Sequence, residues 1–230
     1  MSESRECSNS FGDQDQPDWS AWHDDYDRPG SSRAIRLKLV QEQLRRALDD
    51  AAPGPVRVVS ICGGQGRDII EVLPYHPRKG DVSARIVELD ERNVAYARAS
   101  AAQHNLRNVD VVQGDGSATD AYLGAVPAEI VLVCGVFGNM SDADVHATIE
   151  RLPEFCAPSA TLIWTRNRRE PDLTPEFLRW FGECGFEPII VAAPEHIRRI
   201  GVGVHRFVGT PRALKPHQSI FTFVRDPAKH

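Results

Sequence analysis

A glycine-rich turn is the first stretch whose residue types and spacing indicate chemistry. The segment Cys62–Gly66, with the sequence CGGQG, follows the apolar run Val56–Ile61 and directly precedes a predicted helix at Arg67. Glycines in this position let the backbone pass close to a ligand and leave amide N–H groups available at the start of the helix. Because plain tight turns share this composition, the segment alone is compatible with either a nucleotide site or an ordinary turn.

Two glycine fingerprints of nucleotide-binding proteins do not fit the turn. The dinucleotide fingerprint needs a small residue three positions after its second glycine, and counted from Gly64 and Gly66 that position is Ile69. The phosphate-binding loop of nucleoside triphosphatases ends in Gly-Lys-Ser/Thr, which this segment lacks. The sequence therefore disfavours both an NAD site and a triphosphate loop.

An acidic residue on the next predicted strand indicates what the turn binds. Glu88 lies at the tip of that strand, 22 residues after Gly66. An acid about 20 residues beyond such glycines reaches the ribose hydroxyls of an adenosine held at the turn. A solvated strand-end carboxylate is the alternative for Glu88 alone. The combination of turn and acid favours an adenosine-containing ligand.

The remainder of the chain alternates between predicted strands and helices. Strands are predicted at 56–61, 84–88, 109–112, 130–134 and 160–165, with further candidates at 187–191, 204–208 and 220–224. One helix is predicted to begin at about residue 32 and a second to span 67–73. Three further helices are predicted to begin at the N-capping residues Asp90, Ser141 and Thr174. Such units predict an α/β fold, a Rossmann-like, doubly wound, mostly parallel seven-stranded sheet with helices on both faces. Its ligand crevice would lie at the carboxyl ends of the first strands, where the turn and Glu88 fall.

These segments together resemble class I S-adenosylmethionine (SAM)-dependent methyltransferases. The turn is similar to their first motif, 86–90 (IVELD) to their second, 113–116 (QGDG) to the element that reads adenine, and 129–134 (EIVLVC) to their fourth strand. The likeness covers roughly residues 30–225, and the turn also resembles that of a group of uncharacterised bacterial methyltransferases with a CGGQGRD-like sequence. The resemblance implies a SAM-dependent methyltransferase with SAM as its cofactor.

The resemblance also implies a set of cofactor contacts. Glu88 would bind the ribose, Asp115 would accept a hydrogen bond from the adenine amine, and the Gly116 N–H would meet a ring nitrogen. The turn would hold the methionine side. The expected cofactor-binding residues are Ser60, Cys62, Gly63, Gly64, Gly66, Glu88, Leu89, Asp115, Gly116 and Cys134.

The chain departs from the family pattern in two places. Ser60 stands where an acidic residue usually contacts the cofactor's amino group, and Cys62 replaces the first glycine. Both residues are small enough for the turn to form. Arg67 and Asp68, which follow the turn, could supply some of the missing polarity.

Methyl transfer from a sulfonium needs an aligned acceptor and, for some acceptors, a base. The expected catalytic residues are His205, Tyr26, Asn139 and Arg166. His205 alternates with apolar neighbours in 201–207, interpreted as part of a long connection, so it is either a pocket-facing general base or a structural histidine. Arg166 follows the fifth strand and would bind a carboxylate or phosphate, or else belong to a solvated face.

The other two candidates lie in a glycine-containing loop and near the N-terminus. Asn139 follows the fourth strand, where it would contact the acceptor or cap a turn. Tyr26 belongs to an aromatic and acidic cluster with Trp19, Trp22, His23 and Asp24. That cluster would cover the cofactor cleft or anchor the N-terminal extension to the core.

Composition restricts the partners. A net charge of −5 and an isoelectric point near 5.9 argue against sequence-independent nucleic-acid binding, which needs a positive field. The Asn/Asp-Pro-Pro-aromatic signature of exocyclic-amine methyltransferases is also absent from the sequence. The expected partner is a small-molecule methyl acceptor, with no nucleic acid and no membrane; the oligomeric state stays open, a homodimer included.

The cysteines and the N-terminal sequence indicate the cellular compartment and how the chain divides into segments. The five scattered cysteines lack metal-ligand spacing, so no metal site is predicted, and they favour a reducing, cytoplasmic environment. The polar start and the lack of a long apolar run predict neither a signal peptide nor a membrane span. Residues 1–17 are predicted to be a disordered tail, 18–50 an N-terminal cap and helix, and 51–230 the SAM-binding domain.

Two other functions remain open at the level of sequence. The acid missing at Ser60 would touch the amino-acid end of SAM, which is the part that reacts in cyclisation or aminocarboxypropyl transfer. A SAM-using enzyme with such a non-methyl outcome is one alternative. A non-catalytic SAM-binding protein is the other.

Overall fold

The computed structural model describes residues 24–168, 170–192 and 200–224. Its strands are β1 (Val56–Ile61), β2 (Val82–Glu88), β3 (Val109–Gln113), β4 (Ala128–Val133), β5 (Cys156–Asn167), β6 (Phe186–Ala192) and β7 (Ile200–Phe207). Its α-helices are α1 (Ser32–Asp50), α2 (Arg67–Ile70), α3 (Glu91–Gln103), α4 (Asp142–Arg151) and α5 (Thr174–Glu183). The expected tail at 1–17 and the cluster residues Trp19, Trp22 and His23 lie outside the described residues. Among the helices described, none combines the length and apolar character needed to cross a membrane.

The strands form one sheet in the order β3-β2-β1-β4-β5-β7-β6. The first five strands pair in parallel, and β7 runs antiparallel to both β5 and β6. The predicted mostly parallel, seven-stranded sheet is therefore confirmed. Strands such as β1 and β4 are apolar almost throughout because helices cover both faces of a parallel sheet.

Two hydrophobic clusters, one on each face, hold the helices to the sheet. Leu44 of α1, Ile69 of α2 and Val94 of α3 pack on one face. Ile149 of α4 and Phe177 of α5 pack on the other. Each of these side chains is almost fully buried, and burial of such a side chain stabilises a fold by about 1.5–3 kcal/mol.

The registers of the central strands bring their carboxyl ends to one edge. Ile61 at the end of β1 is level with Val87 of β2, and Ser60 is level with Leu132 of β4. The loops that follow β1, β2 and β4 therefore meet at the same edge of the sheet. This is the edge at which the sequence places the ligand crevice.

The helix after the glycine-rich turn is shorter than the prediction of 67–73. Helix α2 ends at Ile70, and a separate 3-10 turn covers Leu73–Tyr75. Pro74 lies inside this 3-10 turn, and it lacks the N–H that would continue the α-helical hydrogen bonding to the Ile70 carbonyl.

The predicted strand at 220–224 is wrong. This segment makes only isolated bridges, at Ser219 and Phe223. The side chains of Ile220 and Phe221 are both buried, but the backbone here has no continuous pairing with a neighbouring strand. The apolar composition that suggested a strand serves to cover the core instead.

The stretch 201–207 is also assigned differently from the sequence expectation. It is not a long connection but lies inside β7, between β5 and β6. Its alternation of apolar and other residues is the ordinary pattern of a sheet strand. The side chains of this strand therefore face the packed layers of the molecule.

Candidate functional site

The backbone of the glycine-rich turn has the left-handed geometry that glycine favours. Gly64 and Gly66 have φ values of 56° and 66°. A Cβ atom on Gly66 would lie 2.7 Å from Cδ1 of Ile86, which is the movable end of that side chain, so the positive φ is the main reason for glycine at this position. Cys62 also has a positive φ of 50°, a conformation that costs a non-glycine residue about 1–2 kcal/mol.

Glu88 connects the end of β2 to this turn. Its Oε2 accepts a hydrogen bond from the Gly64 N–H at 2.8 Å, and its Oε1 accepts one from the Asp90 N–H at 2.9 Å. The side chain is 8% exposed, and this burial raises the pKa of the carboxyl group. Each carboxylate oxygen still has a second lone pair, so Glu88 can also accept from a ribose hydroxyl.

The loop after β3 packs against the same turn. A Cβ atom on Gly116 would lie 2.4 Å from the Sγ of Cys62, so the glycine is required by close approach of the two loops. The fully buried Tyr122 donates its hydroxyl hydrogen to the Gly116 carbonyl at 2.7 Å and holds this loop in place. The sequence did not indicate this role for Tyr122.

Asp115 and Glu88 converge on Cys62. Burial raises the pKa of the Cys62 thiol, and the negative charges of Glu88 and Asp115 raise it further. Asp115 uses its Oδ1 to accept the Ser117 N–H at 2.8 Å. The structure thus brings together the residues expected on the adenosine side.

The remaining expected cofactor residues differ in how exposed they are to solvent. Leu89 is 57% exposed at the rim, where its apolar side chain can cover a base. Cys134, directly after β4, is half-buried. Ser60 is buried beneath the turn: a Cβ on Gly63 would lie 2.7 Å from the Ser60 Oγ. Within the described residues that oxygen has no hydrogen-bond partner.

An N-terminal turn, the 3-10 turn Asp24–Asp27, is tied to the glycine-rich turn through Arg67. The guanidinium of Arg67 donates to both carboxylate oxygens of Asp27, at 2.6 and 3.0 Å, and its Nε donates to Gln65 at 2.7 Å. It also lies over the rings of Tyr26 and Tyr96, at 5.8 and 5.0 Å from their centroids.

Sequence reasoning did not pair Arg67 with Asp27. One sequence feature could have suggested this pair: the N-terminal cluster is acidic, whereas Arg67, which follows the glycine-rich turn, is basic. Such a contact between residues 40 positions apart has no local periodicity to indicate it. The Arg67 hydrogen bond lowers the pKa of Asp27.

Tyr26 lies beside the glycine-rich turn. Its hydroxyl accepts a hydrogen bond from Arg36 of α1 at 2.8 Å, and burial raises its pKa. The charge of Asp68 and the Cys134 thiol also raise that pKa, so Tyr26, Asp68 and Cys134 share one neighbourhood.

The other acceptor-side candidates are engaged elsewhere. Asn139 donates its side-chain N–H to the Gly135 carbonyl at 2.8 Å and so closes its own loop. Arg166 donates to Asp142 of α4 at 3.2 Å and lies 4.6 Å from the ring centroid of Phe177 in α5. Arg166 therefore connects two helices on one face of the sheet.

The structure corrects the expectation that His205 faces a pocket. The ring is fully buried; its Nδ1 accepts a hydrogen bond from the Trp164 indole at 3.1 Å, and its centroid lies 4.6 Å from that of Phe181. Burial lowers its pKa to about 4. His205 pairs with Leu162 in the sheet, several residues from the carboxyl end of β5, because β7 runs antiparallel.

Comparison with protein families gives one match. A family model described as "Putative methyltransferase" matches residues 31–176. That range contains the turn, Glu88, the Gly116 loop and the end of β4. No curated protein matches the sequence.

Three solved structures with similar folds are methyltransferases by name. CurJ carbon methyltransferase has a TM-score of 0.65 and 13% identity, over 84% of this chain and 59% of that one. An O-methyltransferase family protein from Burkholderia thailandensis has a TM-score of 0.62 and 17% identity, over 82% and 59%. Magnesium protoporphyrin IX methyltransferase from Synechocystis PCC 6803, with bound SAH, has a TM-score of 0.62 and 12% identity, over 82% and 93%. The chain thus spans 59% of the first two, and these low identities show a shared fold alone.

Proposed function

Because the chain belongs to this methyltransferase family, we propose that it binds SAM at the glycine-rich turn and methylates a small-molecule acceptor. The family and the fold agree with the class I methyltransferase predicted from the sequence. The cofactor, its contacts and the acceptor class are the proposal.

The observation that carries the proposal is the contact between Glu88 and Gly64. It places a buried carboxylate against the turn at the carboxyl edge of the sheet, 2.8 Å from the Gly64 nitrogen. The Gly116 loop reaches the same turn through Cys62. A buried carboxylate, the Gly116 loop and a backbone turn thus lie at one edge of the sheet, and these are the groups that we assign to the ribose, the adenine and the methionine part of SAM.

The chain's own residues bind and align the reactants. Glu88 would hold the ribose hydroxyls, while Asp115 and the Gly116 N–H would contact the adenine edge. Bound SAM would supply a methyl group already activated on a sulfonium. The protein then has mainly to align the acceptor and to exclude water, for which Tyr26 on the N-terminal turn is the best-placed candidate.

The net charge of the chain and the named acceptor of one protein with the same fold support a small-molecule acceptor. The net charge of −5 disfavours a nucleic-acid substrate. One protein of the same fold is named for a small acceptor, magnesium protoporphyrin IX. The scattered free cysteines fit a reducing cytoplasm, and we include that location in the proposal.

The test is titration calorimetry with SAM and with S-adenosylhomocysteine. We expect saturable binding of both by the wild-type chain, and a Kd about 10- to 100-fold higher in Glu88→Ala, because a charged hydrogen-bond acceptor is lost. Glu187→Ala is the matched control, since it removes an exposed glutamate of β6. Absence of binding by the wild-type chain, or equal binding by Glu88→Ala, would refute the proposed function.

The by-product separates methyl transfer from other outcomes. In turnover assays with pooled small-molecule acceptors, we expect mass spectrometry to detect S-adenosylhomocysteine. Formation of methylthioadenosine instead would indicate aminocarboxypropyl transfer or cyclisation.

A further inference from the structure

The crevice lacks a carboxylate at the position where the family pattern has one. Ser60 occupies that position, and its side chain is 1% exposed beneath Gly63. A neutral hydroxyl cannot replace the charge of the carboxylate that the family pattern has at this position. The methionine end of the proposed cofactor carries an α-ammonium group, and burying a cation without a counter-charge is unfavourable.

Asp68 is a second carboxylate at the turn, two residues after Gly66. Its side chain is 7% exposed, and Oδ1 accepts the Ile69 N–H at 3.0 Å. In the part of the chain that the structure describes, no side chain donates a hydrogen bond to this carboxylate or forms an ion pair with it. A buried carboxylate is normally paired, so this one is suited to a cationic ligand.

The methionine end of the proposed cofactor would lie on the β4 side of the turn. If Glu88 and the Gly116 loop hold the adenosine, it would lie at the ends of β2 and β3. A ligand that continues past the turn would then extend across β1 towards β4, the next strand in the sheet. The charge of Asp68 raises the pKa of the Cys134 thiol, which directly follows β4, so Asp68 lies within electrostatic range of that end.

Other charged groups near this end already have partners. Arg67 is bound by Asp27, and Glu71 accepts a hydrogen bond from Gln41 at 2.8 Å. Arg36 donates to the neutral Tyr26 hydroxyl, and its positive charge lowers the pKa of Asp68, although no ion pair joins Arg36 and Asp68 among the described residues. Besides Glu88, which is assigned to the ribose, Asp68 is thus a carboxylate beside the turn that retains capacity for a ligand.

We propose that Asp68 is the counter-ion of the cofactor's α-ammonium group and replaces the acid that is missing at Ser60. This inference rests on the proposed function and extends it to one residue. It makes Asp68 a binding residue of the cofactor. The sequence alone suggested only that Arg67 and Asp68 add polarity near the turn.

The experiment compares two ligands that differ in the amino-acid part. S-adenosylhomocysteine carries the α-ammonium, and its deamino analogue has hydrogen in place of the amine. By calorimetry at pH 7.5, we expect Asp68→Asn to raise the Kd of S-adenosylhomocysteine about 10- to 100-fold and to leave the Kd of the deamino analogue within about twofold of wild type. Glu71→Gln, at the residue that directly follows α2, is the matched control and should change neither Kd.

Each result decides a different question. If the wild-type chain binds neither ligand, the proposed function fails and the inference fails with it. If the wild-type chain binds both and Asp68→Asn weakens both equally or neither, the function stands and the assignment of Asp68 is wrong. A reduced turnover of Asp68→Asn with unchanged Kd values would point to Asp68 as a proton acceptor and would also overturn the counter-ion role.

The wild-type protein provides a second test that does not depend on the variant's folding. The preference of wild type for S-adenosylhomocysteine over the deamino analogue should shrink as Asp68 becomes protonated in acid. A preference that stays constant from pH 7.5 to 5 would contradict the proposal.

Discussion

The Oε2 atom of Glu88 lies 2.8 Å from the backbone nitrogen of Gly64. The carboxylate that is expected to hold the ribose therefore also holds the turn that is expected to hold the rest of the cofactor. One side chain links two strand ends, because Glu88 closes β2 and the turn follows β1. Loss of this residue should accordingly affect both the free protein and its complex.

Glu88→Ala should destabilise the free protein. The substitution leaves the N–H groups of Gly64 and Asp90 without their acceptor, and an unsatisfied buried donor costs about 1–3 kcal/mol. Urea unfolding without ligand measures the difference in unfolding free energy. Unchanged stability would mean that water replaces the carboxylate at both donors.

Arg67→Ala should release the N-terminal turn. Arg67 joins that turn to the glycine-rich turn through Asp27, Tyr26 and Gln65. We expect faster hydrogen exchange in a peptide that covers residues 24–31, and weaker binding of S-adenosylhomocysteine as the crevice opens. Arg179→Ala, which removes an exposed ion pair with Glu183, is the control. Equal exchange in both variants would show that the contact does not hold the turn.

Binding of S-adenosylhomocysteine should release protons near pH 6. The pKa of Asp68 is raised to about 6, mainly by burial and in part by the charge of Glu71, the residue after α2, while the charge of Arg36 in α1 opposes the shift. Tyr26 and Cys134 face the same neighbourhood.

The direction of the pH effect follows from which protonation state of Asp68 binds the ligand. An ammonium group beside the carboxylate lowers its pKa, so affinity is full above about pH 7 and falls as the pH drops through 6. The ammonium itself stays charged there, since α-amino groups titrate near about 8. Calorimetry in buffers of different ionisation enthalpy counts the protons, and Asp68→Asn should abolish their release. Proton release that persists in the variant would assign it to another group.

His205→Gln should change acid stability and leave ligand binding intact. The wild-type pKa is lowered to about 4 from its usual 6.5, so the unfolded chain takes up a proton at higher pH than the folded chain does. This group therefore costs stability as the pH falls from 6.5 to about 4, and the loss should disappear in the variant. Thermal unfolding at pH 7 and pH 4.5 measures it. A higher Kd for S-adenosylhomocysteine in the variant would contradict the position of His205 in the core.

Residue patterns within short segments were enough to predict most of the strands and helices. The run Val56–Ile61 and the spacing of apolar residues in α1 are properties of short segments, and the structure has both elements where the sequence predicts them. The handedness of βα connections then placed the turn and Glu88 at one edge. The prediction of a strand at 220–224 failed because an apolar composition indicates burial without specifying which strand the segment pairs with.

The sequence by itself determined the sheet, the glycine-rich turn and the acid at the end of β2, because residue type, periodicity and right-handed crossovers are enough for each. Only the tertiary structure decided that Ser60 is covered by Gly63, that Asp68 is buried without a side-chain partner among the described residues, and that His205 lies against Trp164. The physical reason is that these outcomes depend on which distant residues share a face or a loop. Packing between segments sets the burial and pairing of a titratable group, and no local period encodes it.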